Sequence, residues 1–226
     1  MNILALDTAD QVLSLALSTG TGVWYTEIDD GVRHSELLLE SADALCKIAG
    51  LHPENLELVA CMKGPGSFTG LRIGFSAAKG MALALGIPLV SLPTLDCLAY
   101  HLSIWPGIVL PAMDAKQGRF FSALYRDGHC LTEYKDASPE AIARELTSVR
   151  LSPDEKVVLT GSGAELLASF LASFYPQEHI RIDPESRKGR ARELLELIKG
   201  DTIDMKGNAN SGPVYLRKSD AELKSR

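Results

Sequence analysis

Two stretches of this chain carry the same succession of structural signals, and that repetition constrains the fold more than any single motif. In the first, Ile3 to Thr8 is an apolar run ending in Asp7-Thr8. Val12 to Ser18 alternates, with Val12, Ser14, Ala16 and Ser18 on one side and Leu13, Leu15 and Leu17 on the other. Val23 to Ile28 follows a Gly20-Thr21-Gly22 turn. Alternation at period two marks a strand packed on one face, and three short strands with tight connections make an antiparallel meander. The period then becomes helical. Leu38, Ala42, Leu45 and Ala49 recur at helix spacing between Ser35 and Ala49, and Gly50 with Pro53 ends the run. A buried strand at Leu58 to Met62, a glycine turn, an apolar helix from Leu71 to Leu85, a strand at Leu89 to Leu92 and a short helix from Thr94 to Leu102 follow.

The second stretch repeats the order. Ile108 to Met113 is a strand ending on Asp114, and Phe120 to Tyr125 and Cys130 to Tyr134 flank an Asp127-Gly128 hairpin turn. Ser138 caps a helix whose first residue is Pro139 and which runs through Leu146. A strand at Val157 to Thr160, a helix after Gly161-Ser162-Gly163, a strand at Ile180 to Ile182 and an amphipathic helix from Arg190 to Lys199 complete it. Both halves read βββ-α-β-α-β, which predicts a duplicated α/β protein with the layout of the actin-like ATPase fold: two mixed sheets, each flanked by helices. The expected lobes are 1–103 and 104–226, divided near Ser103 to Gly107.

Charge and cysteine usage narrow the function. A net charge of -6 argues against autonomous, nonspecific nucleic-acid binding, which depends on neutralising phosphates. Arg181, Arg187, Lys188, Arg190 and Arg192 are expected on a solvated loop and a polar helix face, the alternative being a local basic patch. Cys46, Cys61, Cys97 and Cys130 contain no C-x-x-C pair; the first three read as core residues of a reducing compartment, and neither a disulfide frame nor a zinc site is expected. The longest apolar stretch, Met81 to Leu92, is interrupted by Gly86 and Pro88 and is too short to span a bilayer. With no basic leader at Met1 to Ile3, a cytoplasmic protein without membrane attachment is expected.

The glycine turn runs Gly64, Pro65, Gly66, Ser67, Phe68, Thr69, Gly70, Leu71, Arg72, Ile73, Gly74. Ser67 and Thr69 are candidate caps for the helix that follows, whose first amides would attract anions. Stricter templates fail. A P-loop would end in Gly-Lys-Ser/Thr where this loop has Gly70-Leu71-Arg72, and a serine elbow would need glycine where Pro65 stands. His34, His52, His101, His129 and His179 form neither H-x-x-x-H nor H-E-x-x-H, so no metal site is expected and metalloprotease chemistry is unsupported.

The run Gly64 to Gly74 resembles the signature of the TsaB family, also called YeaZ. Further matches are Ile3 to Thr8, His34-Ser35-Glu36-Leu37-Leu38-Leu39, Gly86-Ile87-Pro88-Leu89-Val90, Asp114-Ala115-Lys116-Gln117-Gly118 and Pro213-Val214-Tyr215-Leu216-Arg217. The resemblance implies the actin-like fold and a non-catalytic subunit that pairs with TsaD, the member carrying the metal and the transferase site. With TsaE, an ATPase, these proteins move threonylcarbamoyl onto the adenosine beside the anticodon of ANN-decoding tRNAs. Contact with tRNA is then expected through the complex. The alternatives are a stand-alone ATP-dependent kinase of the same fold and a peptidase of the glycoprotease-like group.

In this fold the turn after the first strand of each half would grip phosphates, which makes Asp7 and Asp114 possible remnants of phosphate turns. Thr8-Ala9-Asp10-Gln11 has no glycine, and Asp10 would add negative charge beside a phosphate. No cofactor is expected on the isolated chain, and ATP or ADP only within the complex. The Leu71 to Leu85 helix carries Gly74, Ala78 and Ala82 at i, i+4, i+8, a ridge that suits a buried internal helix as well as an interface. The family is thought to pair through its first two long helices. On that ground Leu38, Ala42, Leu45, Gly74, Ala78 and Met81 are expected to form the seam with TsaD, or with a second copy when TsaD is absent. In the tail, Lys206 to Gly212 is expected to be mobile and Pro213 to Arg217 to dock back.

Overall fold

A computed structural model describes residues 1–30, 33–149, 151–152, 154–200 and 212–216. In chain order the elements are β1 (Ile3–Asp7), β2 (Leu13–Ser18), β3 (Val23–Ile28), α1 (His34–Ile48), β4 (Leu58–Met62), α2 (Phe68–Leu85), β5 (Leu89–Leu92) and α3 (Thr94–Tyr100). They continue with β6 (Gly107–Asp114), β7 (Phe120–Ser122), β8 (Tyr125–Arg126), β9 (His129–Cys130), β10 (Lys135–Ala137), α4 (Pro139–Ser148), β11 (Lys156–Thr160), α5 (Ala164–Leu171), β12 (Ile180–Ile182) and α6 (Ala191–Lys199). The chain divides into two units, Met1–Cys97 with Gly189–Tyr215, and a second that includes Leu98–Lys188.

In the first unit the strand order is β3-β2-β1-β4-β5. β1 runs antiparallel to β2, with Asp7 opposite Ser14, and parallel to β4, with Leu6 opposite Cys61. The period-two pattern decides which helix meets which face. Leu4, Leu6, Leu13, Leu15, Leu17, Val59 and Cys61 share one core with Leu38, Ala42 and Leu45 of α1 and Phe75, Ala78 and Ala82 of α2. Ser14 belongs to the other register of the sheet, and it is fully buried too, because α6 packs on β1, β2 and β4. The small residues on that register let α6 begin close to the strand: a Cβ on Gly189 would stand 2.4 Å from the Ser14 side chain. A polar alternation that reads as a solvated face is here a face covered by a helix from far along the chain.

The second unit repeats the order as β10-β7-β6-β11-β12, again with antiparallel β6–β7 and β7–β10 and parallel β6–β11 and β11–β12. Ile108, Leu110, Val157 and Leu159 pack with Ile142 and Leu146 of α4 and Leu167 and Leu171 of α5. The third strand of the meander differs from expectation. It is β10, while Tyr125–Arg126 and His129–Cys130 form a side hairpin on β6 around the Asp127-Gly128 turn, where both residues have positive φ. The duplicated topology of the actin-like ATPase fold is thus present in both units.

Two expectations are corrected. Helix α6 joins the first unit, not the second. Leu38, Ala42, Leu45, Gly74 and Ala78 do not form an exposed seam. They are buried in the unit's own core, with Met81 packed half-buried against it. An amphipathic helix must spend its apolar stripe on its own sheet first. Ala78 has no exposed surface, so Ala78→Arg places an unpaired cation against Phe75 and the sheet. The expected outcome is loss of about 3–5 kcal/mol or more, read as loss of a cooperative denaturant transition. A variant that stays as stable as the parent overturns this packing.

Candidate functional site at the glycine turn

β4 delivers the chain into a turn held from several sides. The Lys63 N–H donates to the Leu92 carbonyl at 2.8 Å, and the Gly64 carbonyl accepts from the Thr94 N–H at 3.0 Å. The Gly64–Pro65 peptide is cis, and Gly64 has φ +102. Ser67 then caps α2: its Oγ accepts from the Gly70 N–H at 3.2 Å, while its own N–H donates to the Ala9 carbonyl at 2.7 Å. The helix therefore begins at Phe68, not at Leu71. Thr69, the other candidate cap, is an exposed residue of the first turn.

The glycines of this stretch exist for a close approach. A Cβ at Gly66 would meet the Ala9 carbonyl oxygen at 2.5 Å, at Gly70 the Thr8 carbonyl oxygen at 2.0 Å, and at Gly74 the Thr8 Oγ1 at 2.3 Å. Positions 66, 70 and 74 recur every fourth residue and face the turn after β1. Thr8 Oγ1 donates to the Gly70 carbonyl at 2.7 Å and locks the contact. The turn after β1 is thus packed closely against the start of α2.

Asp7 is committed in the same way. Its Oδ1 accepts from the Ala9 N–H at 3.0 Å and its Oδ2 from the Arg190 N–H at 2.8 Å, where α6 begins. Burial pushes its carboxyl up to about 6, against the pull of those two amides, and Asp10 and Glu193 push the same way. Arg190 is 2% exposed and lies 3.2 Å from Glu193, not on a solvated face as expected. In the second unit Asp114 accepts from the Lys116 N–H at 2.7 Å and pairs with its Nζ at 2.8 Å, on a turn where Lys116, Gln117 and Gly118 all have positive φ. Each aspartate closes its own turn. Among the described residues no three His, Cys, Asp or Glu side chains come together to hold a metal ion, and no helix is long and apolar enough to cross a membrane.

The outer side of the turn carries Phe68 and Arg72, with the guanidinium 3.8 Å over the ring. The tail docks there, as Tyr215 lies against Phe68. Residues 206–211 and Arg217 lie outside the described residues. Farther along α2, the surface opposite the core presents Thr69, Ser76, Gly80 and Ala84, with Ile73 and Ala77 half-buried beside them. Leu83 is 86% exposed, and on α1 Ile48 is 71% and Leu39 57% exposed. The residues on this side were missed in the sequence, although Ser76, Gly80 and Ala84 carry the same four-residue spacing as Gly74, Ala78 and Ala82.

A duplicated sheet of this order defines a member of the actin-like ATPase fold, and in this chain its own glycine-bearing helix packs on the first turn. A family model described as "TsaD: tRNA N6-adenosine threonylcarbamoyltransferase" matches residues 30–161. The chain is 27% identical over 228 residues to the tRNA threonylcarbamoyladenosine biosynthesis protein TsaB of Bacillus subtilis, covering 99% of this chain and 97% of that protein. It is 34% identical over 129 residues to the Escherichia coli protein of that name, covering 56% of this chain and 55% of the other. A Pseudomonas aeruginosa crystal structure, described as similar to peptidase YeaZ, superposes with a TM-score of 0.77 at 25% identity, over 96% of this chain and 99% of that one. The chain belongs to the family of that model and, within it, to the TsaB/YeaZ group.

Two outcomes follow from the packing of the turn. Gly70→Ala drives a methyl into the Thr8 carbonyl and is expected to cost about 1–3 kcal/mol, measured by urea unfolding; an unchanged midpoint contradicts the close approach. Asp7 holds a proton more tightly folded than unfolded, so its contribution to stability is highest below pH 4 and falls as pH rises to about 6. The change is on the order of 3 kcal/mol. Stability measured from pH 4 to 7 should show this slope in the parent and lose it in Asp7→Asn.

Proposed function

We propose that the chain is an accessory subunit in the formation of threonylcarbamoyladenosine in tRNA, docking a TsaD-type partner on the exposed side of α1 and α2. The observation that carries this reading is Gly80. It sits in the interior of α2, exposed, and a Cβ there would meet nothing within 4 Å. A mid-helix glycine costs roughly 0.5–1 kcal/mol relative to alanine. Among the described residues no packing offsets that cost, unlike at Gly70 or Gly74, so we read its use as admitting something from outside. Ser76, Gly80 and Ala84 form a low ridge that lets a second helix approach closely. Leu83 beside it supplies apolar area that a water-facing helix has no use for, and Arg72 and Lys79 line one edge.

The names of the relatives and the matching family model support the pathway. We assign the transferase chemistry to the partner, because Asp7 spends its carboxylate on the Ala9 and Arg190 amides and Asp114 on Lys116. A TsaE-type ATPase and the tRNA join through the complex, any nucleotide binds only there, and a second copy covers the same face when the partner is absent.

The test is threonylcarbamoyl transfer to tRNA in a mixture of TsaD, TsaE, the threonylcarbamoyl-adenylate synthase and ATP, with and without this chain. Activity is expected only when the chain is added. Gly80→Arg should melt no lower than the parent, since its side chain enters open space, yet abolish both co-purification with TsaD and transfer. Pairing that survives this variant removes the docking face. Saturable Mg-ATP binding by the isolated chain would favour a kinase instead.

A further inference from the structure

The last described residues do not trail into solvent. The Val214 N–H donates to the Lys63 carbonyl at 2.6 Å, so Lys63 is held between β5 on one side and the tail on the other. Gly64 accommodates this neighbour: besides its φ of +102, a Cβ there would stand 2.6 Å from the Val214 carbonyl oxygen. The Tyr215 ring lies 4.8 Å from that of Phe68, and Arg72 Nε is 3.4 Å from the Tyr215 hydroxyl. Phe68 opens α2, and Arg72 stands one turn later on the edge of the strip formed by Thr69, Ser76 and Gly80. Val214 and Tyr215 remain exposed, so the tail adds an aliphatic and an aromatic side chain at the N-terminal end of that strip.

We propose that Pro213–Tyr215 is a strap that completes the partner-docking face by holding Phe68 and Arg72 in place at its end. The inference rests on the docking face read above. A free arginine and a loosely held ring lose rotamer freedom when a partner binds, and fixing them beforehand removes that cost from association. Aromatic and arginine side chains are also the residues in which interface energy concentrates. Among the described residues the strap is held by one backbone hydrogen bond, one ring contact and the exposed Arg72–Tyr215 bond, so it releases locally while the unit stays folded.

The experiment compares the full chain with Tyr215→Ala, Tyr215→Phe and Gly80→Arg, by amide exchange alone and by calorimetric titration with TsaD of the same organism. Tyr215→Ala should speed exchange across residues 63–72 roughly three- to tenfold, with β1 and β4 unchanged, and weaken pairing by a similar factor. Tyr215→Phe keeps the ring contact and should stay within about twofold of the parent. Unchanged exchange or unchanged affinity in Tyr215→Ala overturns the strap, as does a loss in Tyr215→Phe equal to that in Tyr215→Ala. If Gly80→Arg abolishes pairing while Tyr215→Ala does not, the strap falls and the docking face stands. If Gly80→Arg also pairs normally, the docking face falls and the strap with it.

Discussion

The contact between α2 and the turn after β1 is the constraint on which the first unit depends. Backbone meets backbone there because positions 66 and 70 have no Cβ to hold them apart, and the Thr8 side chain fits against Gly74 for the same reason. With that distance closed, Ser67 reaches the Ala9 carbonyl and Thr8 reaches the Gly70 carbonyl, and the starting point and rotation of α2 are set. Everything α2 shows to the outside, from Arg72 to Leu83, takes its direction from this contact. Asp7, the residue before it, ties the other side of the strand to α6 through the Arg190 amide. Three consecutive residues at the end of one strand therefore position two helices.

The same arrangement explains why the first turn serves structure. A phosphate site needs open amides and little opposing charge. Here Asp7 takes the amides of Ala9 and Arg190, α2 fills the approach, and Asp10 and Glu193 add negative charge nearby. Burying the carboxylate is costly, and its raised pKa expresses that cost. The two amide bonds, from Ala9 and Arg190, offset part of that cost.

Several features of the chain were legible in its residues. The repeated order of strands and helices, the two aspartates at strand ends, the Ser67 and Ser138 caps and the Asp127-Gly128 hairpin all follow from local rules of period, capping and turn chemistry. Which face of α2 stays exposed was not legible. Gly74-Ala78-Ala82 and Ser76-Gly80-Ala84 are both small-residue ridges at i, i+4, i+8 on one helix. Only the sheet underneath decides that the first is core and the second is surface. Helix α6 posed the same difficulty, because a helix of the chain's last third covers the serine-bearing face of β2, and no local pattern reports a contact of that sequence separation.

The sequence by itself determined the duplication, the family and all but one strand of the succession of elements, because these are encoded in short-range periodicity and in the eleven-residue run Gly64 to Gly74. The tertiary structure alone decided which apolar stripe is spent internally, that Arg190 and Asp7 are buried, and that the tail returns to Phe68 and Arg72. Those outcomes depend on which distant segment wins each surface, a competition between packing contacts that no window of neighbouring residues contains.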